Sequence, residues 1–230
     1  MLTIGKSCRM RRREMNRVQI KICGVTNLAD ARACVDLDAD MIGLNFYPRS
    51  PRYIEPQRVE DIVKAIPRRV RAVGVFVDTT ADEVRSLAKT AGIDCVQLHG
   101  DLPSEMCRDL AREFRVIRAF STGPKFHTED VGAFSDCDVL LDAPHAELRG
   151  GTGLTCDWQA ARATLPFARF LVLSGGLNAQ NIGDAIATVS PHAVDVCSGV
   201  EKAPGAKDHR AIEEFIAAAR RAEPLAGAAG

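Results

Sequence analysis

Two side chains with opposite chemistry close two apolar runs: Cys23 ends VQIKIC and Asp142 stands near the end of DVLLDA. A cysteine acts as base or nucleophile only as thiolate, and Lys21 beside it would lower its pKa from about 8.5. A carboxyl desolvated behind Val139, Leu140 and Leu141 is pushed toward its protonated, donating form. A base and an acid facing one another across a pocket are what proton-transfer catalysis needs. Each residue has a plainer alternative. A cysteine within an apolar run is commonly a small hydrophobe, and an aspartate after a strand commonly caps the next loop. His99, closing DCVQLH, is the default base by residue type, or else it orients a loop or donates to a ligand. Arg52, in SPRYI, offers a planar fork that grips carboxylates, with solvated surface arginine as its alternative. His127, His145, His192 and His209 fall in loops or helix starts and attract no role.

Glycine-rich turns follow two later apolar runs: SGGLNAQN carries Gly175 and Gly176, and CSGVEKAPG carries Ser198 and Gly199. Glycine lets backbone N–H groups approach an anion, and a helix start adds a favourable dipole. Two such turns in succession predict a phosphate cradle. A third, RGGTG at 149–153, is placed to close over it.

Positioning these groups requires a scaffold that presents loops side by side. Short β-branched runs alternate with amphipathic stretches from residue 18 onward. The spacing predicts strands at 18–23, 40–46, 70–77, 94–99, 115–121, 138–143, 169–175 and 193–198. Helices are predicted between them, at 27–38, 56–66, 81–90, 103–113, 128–134, 158–164, 179–189 and 208–221. The stretch at 128–134 is the weakest, because Gly123, Pro124 and Gly132 interrupt it. Near-continuous apolar strands followed by helices call for an all-parallel sheet covered by helices. An open dinucleotide-binding sheet should carry G-x-G-x-x-G after an early strand, and KICGVTN supplies one glycine. Eight units in about 205 residues fit a single (β/α)₈ barrel, whose active site lies at the strand C-termini. Cys23, Asn45, Asp78, His99, Asp142, Ser174 and Asp195 all fall at or near such ends.

Composition is that of an ordinary globular protein. The 230 residues are 46% hydrophobic and 26% charged, with 30 basic and 30 acidic side chains balancing to zero. That excludes dominant disorder and a general nucleic-acid-binding surface, and no apolar run is long enough to span a membrane. Residues 1–17 hold six Lys or Arg and one Glu. They are read as a basic, disordered extension outside the fold, or as sequence upstream of a start at Met10 or Met15. Residues 18–222 form the barrel and 223–230 a flexible tail. Eight cysteines without C-x-x-C fit free thiols in a reducing cytoplasm rather than a disulfide scaffold or zinc site. A monomer is favoured over a homodimer.

KICGVTN, GLNFYPRSPRYI, VGVFVD, VQLHGD, LLDA, GGTG followed by DW, LVLSGGLNAQNI and AVDVCSGVEKAPGAKD together resemble the phosphoribosylanthranilate isomerases of tryptophan biosynthesis, across roughly residues 18–215. The resemblance implies an Amadori rearrangement of N-(5-phosphoribosyl)anthranilate to 1-(2-carboxyphenylamino)-1-deoxyribulose 5-phosphate. It assigns the general acid to Asp142, the general base to Cys23, and the grip on the anthranilate carboxylate to Arg52. His99 and Asp195 match polar groups lining the pocket; Gly175, Gly176, Ser198 and Gly199 match the phosphate site. It implies a small phosphosugar substrate, with no metal, organic cofactor, nucleic acid or membrane. Three departures stand out: the long start, Asp38 where glycine often caps the first helix, and Leu154 where lysine often follows GGTG. The rivals are histidine-pathway Amadori isomerases, which resemble aspartate-base enzymes at the first strand, and indole-glycerol-phosphate synthase, whose lysine–glutamate pattern is incomplete here. A barrel that binds a phosphosugar without catalysis is disfavoured by the presence of both Cys23 and Asp142. A cysteine–histidine metal protein is disfavoured by ligand spacing.

Overall fold

Each apolar run becomes a parallel strand, and each amphipathic stretch turns back along its outside. The computed structural model describes residues 17–144 and 156–222. Its strands are β1 (Gln19–Ile22), β2 (Met41–Asn45), β3 (Arg71–Val77), β4 (Cys95–His99), β5 (Arg115–Ser121), β6 (Asp138–Asp142), β7 (Leu171–Leu173) and β8 (Ala193–Val196). They pair in sequence order, and β8 returns to β1, closing an eight-stranded barrel. Closure is set by register: Lys21 lies opposite Met41 on β2 and opposite Asp195 on β8.

Side chains alternate across each strand. Met41, Val73, Cys95, Ile117, Leu140 and Val172 pack within the barrel. Ile20, Ile22, Val194 and Val196 point outward into a second core beneath the helices. The helices are α1 (Leu28–Asp36), α2 (Pro56–Ala65), α3 (Ala81–Ala91), α4 (Ser104–Leu110), α5 (Trp158–Thr164), α6 (Ile182–Val189) and α7 (His209–Ala222). Their starts follow local chemistry. Asn27 accepts the Asp30 N–H at 2.9 Å, Thr80 and Glu83 form a reciprocal capping box, and Asp157 accepts from Gln159 and Ala160.

Three local results differ from the sequence pattern. The fifth connection, Thr128–Phe134, is a 3₁₀ helix, consistent with its interrupting glycines. The stretch predicted from Ala179 starts its helix only at Ile182, because the side chains of Asn178 and Asn181 close a turn ahead of it. Glu201–Ala203 (β9) and Ala206–Lys207 (β10) form a hairpin where only a glycine-rich turn was expected. Pro204-Gly205 turns this hairpin, and Gly205 adopts φ 81°. Arg17, assigned by sequence to the extension, pairs with Asp38 at 2.8 Å and Asp40 at 3.4 Å. The rest of the predicted extension, the RGGTG loop, His145, Leu154 and the tail lie outside the described residues.

Candidate active site

Cys23 follows β1 two residues after Lys21, so alternation carries both toward the barrel axis. Lys21 is fully buried and its Nζ donates to Asp195 Oδ1 at 2.9 Å. Burial works to lower the pKa of this ammonium, but Asp195 and the Cys23 sulfur override it and the net shift is upward. The Ser174 hydroxyl, 3.4 Å from Asp195 Oδ2, extends the network to the end of β7.

Cys23 is partly exposed at the mouth. A hydrogen bond from Cys197 lowers its thiol to about 7; burial opposes this, and Lys21 and Lys207 reinforce it. Burial instead pushes Cys34, Cys95 and Cys156 up to about 12. Cys107 is also lowered, by its contact with Cys137, but it is fully buried on α4 beneath the outer layer. Cys23 therefore combines a favoured thiolate with access to the mouth. Its sulfur lies over β2, where a Cβ on Gly43 would come within 2.7 Å of it.

Asp142 ends β6. Its Oδ1 accepts the Ala143 N–H at 2.8 Å, and its carbonyl takes both the backbone and hydroxyl donors of Thr122. Around the closed barrel, β6 and β1 are separated by β7 and β8 on the shorter path. Asp142 and Cys23 thus stand at the same end of the barrel, on strands across its opening.

Arg52 lies on the loop after β2 and binds Glu201 through two nitrogens: Nε at 3.0 and 3.2 Å, Nη2 at 2.7 Å. Glu201 also receives Lys207 Nζ at 2.9 Å, and its carboxyl is held below the usual range by these two cations despite burial. A guanidinium has five N–H donors, so the pair with Glu201 fixes its plane while leaving Nη1 to engage a second carboxylate. His99 ends β4, with its Nε2 2.7 Å from the Gln97 amide nitrogen. With Gln97 donating, that ring nitrogen is an acceptor already engaged. Asp195 is buried in the barrel interior, where it holds Lys21.

The glycines serve close approach as well as conformation. A Cβ on Gly175 would lie 2.4 Å from the Ala143 nitrogen, and one on Gly199 2.1 Å from the Leu177 carbonyl. Gly175 and Gly176 have φ of 89° and 65°, where L side chains are strained. These contacts press the loops after β6, β7 and β8 into one surface. Gly176, Ser198 and Gly199 are exposed on it, and the Gly176 N–H has no acceptor among the described residues.

Every sequence-predicted site residue within the described chain thus falls at the C-terminal end of the barrel. Sequence reasoning missed the Glu201–Lys207 pair and the contact of Cys197 with Cys23. It also missed Arg118, whose guanidinium donates to the Leu98 and Gly100 carbonyls at 3.2 and 2.7 Å and so fixes the turn carrying His99. A charged residue amid the apolar RVIRAFS was the available signal for Arg118; the hairpin pairs left none.

The match to known proteins is extensive. The family described as N-(5'phosphoribosyl)anthranilate (PRA) isomerase matches residues 20–218. The N-(5'-phosphoribosyl)anthranilate isomerase of Thermotoga maritima is 43% identical over 199 residues, covering 86% of this chain and 97% of the relative. A solved phosphoribosyl anthranilate isomerase in complex with reduced 1-(o-carboxyphenylamino)-1-deoxyribulose 5-phosphate is 40% identical, with TM-score 0.78, covering 89% of this chain and 99% of that one. A structure of monomers generated from the dimeric Thermotoga maritima enzyme is 39% identical, with TM-score 0.78 and the same coverage. The chain belongs to the N-(5'phosphoribosyl)anthranilate isomerase family.

Proposed function

We propose that the barrel mouth converts N-(5-phosphoribosyl)anthranilate to 1-(2-carboxyphenylamino)-1-deoxyribulose 5-phosphate by general acid–base catalysis, with Asp142 as acid and Cys23 as base. The observation that carries this reading is Cys23 itself, a partly exposed thiol lowered to about 7 at the same end of the barrel as Asp142. Protonated Asp142 delivers its proton to the furanose ring oxygen. The C1–O bond breaks as the anilino nitrogen lone pair forms a C1=N iminium. The Cys23 thiolate then takes the proton from C2. The C2–H electron pair forms C1=C2 while the C1=N pair returns to nitrogen. Protonation of C1 and loss of the C2 hydroxyl proton give the ketone. The substrate's own iminium is the electron sink, so these steps balance with no added redox partner.

Arg52, its plane fixed by Glu201, takes the anthranilate carboxylate; Gly175, Gly176, Ser198 and Gly199 receive the phosphate; His99 and Asp195 line the space between them. Adding purified protein to N-(5-phosphoribosyl)anthranilate should abolish the anthranilate fluorescence of the substrate while leaving its mass unchanged. Persistent fluorescence, or a change of mass, contradicts the reading.

No helix among the described residues is long and apolar enough to cross a membrane. The seven described cysteines are all free, which supports a reducing cytoplasmic setting. Among the described residues, the exposed large apolar side chains are Tyr53 and Phe167. Tyr53 follows β2 and Phe167 precedes β7, so they lie toward opposite ends of the barrel, an arrangement that supports a monomer. Light scattering on the eluting protein should give the mass of one chain; twice that mass means a dimer, as in the Thermotoga maritima relative.

A further inference from the structure

Among the described strand residues, only Gly43 on β2 and Gly74 on β3 are glycine. A glycine inside a strand forfeits packing, and it persists where the chain bulges, bends or lets another group come close. The β2–β3 register runs unbroken from Met41 to Asn45, so Gly43 makes no bulge. Alternation turns it inward with Met41, into an interior otherwise filled by side chains such as Val73, Cys95 and Ile117. Lys21 pairs with Met41, so Cys23, two residues on, stands level with Gly43. A Cβ on Gly43 would lie 2.7 Å from the Cys23 sulfur, 3.0 Å from its Cα and 3.2 Å from its Cβ. Residue 23 is held from sliding away as a unit. Its N–H bonds to the Val196 carbonyl on β8 at 2.8 Å, and the Val25 N–H bonds to the Gly43 carbonyl at 3.0 Å.

We infer that Gly43 is a positioning residue: its missing side chain is the seat that lets the Cys23 sulfur stand where it takes the C2 proton. This rests on Cys23 being the base. Non-bonded atoms settle at about 3.5–4.0 Å, so a methyl on residue 43 would drive the sulfur back by roughly 1 Å. Proton transfer needs base and proton within hydrogen-bond reach, and a misplacement of about 1 Å costs on the order of 10²-fold. The same face of β2 also anchors the carboxylate grip. Two residues beyond Gly43, the Asn45 amide donates to the Ser50 hydroxyl at 3.2 Å, and that hydroxyl accepts the Arg52 N–H at 3.1 Å. The three atoms nearest a Cβ on Gly43 all belong to Cys23, so crowding there reaches the base and not the grip.

Steady-state kinetics of full-length Gly43→Ala, with N-(5-phosphoribosyl)anthranilate carrying hydrogen or deuterium at C2, tests this. The control is Gly74→Ala, which adds the same methyl to the outer face of the barrel wall, where it would meet Phe76 at 2.9 Å and Phe46 at 3.0 Å. Gly43→Ala should lose about 10²-fold in kcat with KM little changed, and deuterium at C2 should slow the remaining turnover further. Folded Gly74→Ala should keep the wild-type kcat. Wild-type kcat in folded Gly43→Ala overturns the positioning role, as does an effect confined to KM, a loss insensitive to deuterium, or an equal loss in Gly74→Ala. Should Gly43→Ala fail to fold, the double variant Cys23→Ala/Gly43→Ala decides: recovery of the fold supports a seat for the sulfur, and continued failure overturns it. Cys23→Ser separates this inference from the reading beneath it. Wild-type turnover there removes the base and the seat together, whereas an inactive Cys23→Ser beside a fully active Gly43→Ala overturns the seat alone.

Discussion

A thiol buried among apolar atoms is inert, whereas one beside an ammonium can serve as a base, the role proposed for Cys23. Cys34, Cys95 and Cys156 are pushed up by burial, whereas Cys23 is brought to about 7 by the hydrogen bond of Cys197 and the charge of Lys21. The acid limb of the pH dependence follows with a definite sign. The base works only when deprotonated, so on that limb kcat/KM should rise with pH, by about tenfold per unit well below 7, until Asp142 loses the proton it must donate. A profile flat from pH 5 to 8 would exclude a base of this pKa. In the proposed reading Arg52 supplies binding rather than chemistry, so Arg52→Ala should raise KM with kcat less affected; an unchanged KM would remove it from the carboxylate grip. Cys23 and Asp142 were legible because each ends an apolar run. Lys21 was legible as a charge inside one. Cys197, Glu201 and Lys207 were not, because their partners come from β1, from the loop after β2 and from across a hairpin, and no local spacing encodes those meetings.

Elements were legible where one local rule governs and less so where rules compete. Strand positions follow from β-branched runs, and β5 occupies the predicted span of 115–121. Helix ends depend on caps. α3 ends at Gly92, with φ 68°, and a Cβ there would meet only Val63 Cγ1 at 3.7 Å, an ordinary contact. Gly92→Ala should therefore cost about 1 kcal/mol of stability, from left-handed backbone strain rather than crowding. Urea unfolding measures this, and an unchanged or higher midpoint would contradict it. Asp38 occupies the same kind of position after α1, at φ 68°, where the sequence comparison led us to expect glycine. Its carboxylate pairs with Arg17 at 2.8 Å. The β9–β10 hairpin escaped notice because its strands have three and two residues, too short for alternation to register.

At the scale of the barrel, the two ends of one strand divide the labour between stability and chemistry. β6 begins with Asp138 and ends with Asp142, four residues or about 13 Å apart along the strand. Asp138 is 2% exposed and pairs with Arg115 and Arg169. Arg115 also lies over the Phe170 ring, which stacks on His192. Asp138→Asn should lower stability by about 1–3 kcal/mol, the range of charged hydrogen bonds, while leaving kcat as in wild type; lost turnover in a folded Asp138→Asn would contradict the division. The opposite end holds the account's central claim, that a thiolate and a carboxylic acid across one opening move the protons. Turnover of N-(5-phosphoribosyl)anthranilate by folded Cys23→Ser and Asp142→Asn, followed by substrate fluorescence, tests that claim most directly. Each variant is predicted to lose at least ~10²-fold in kcat, and wild-type turnover by either would contradict it.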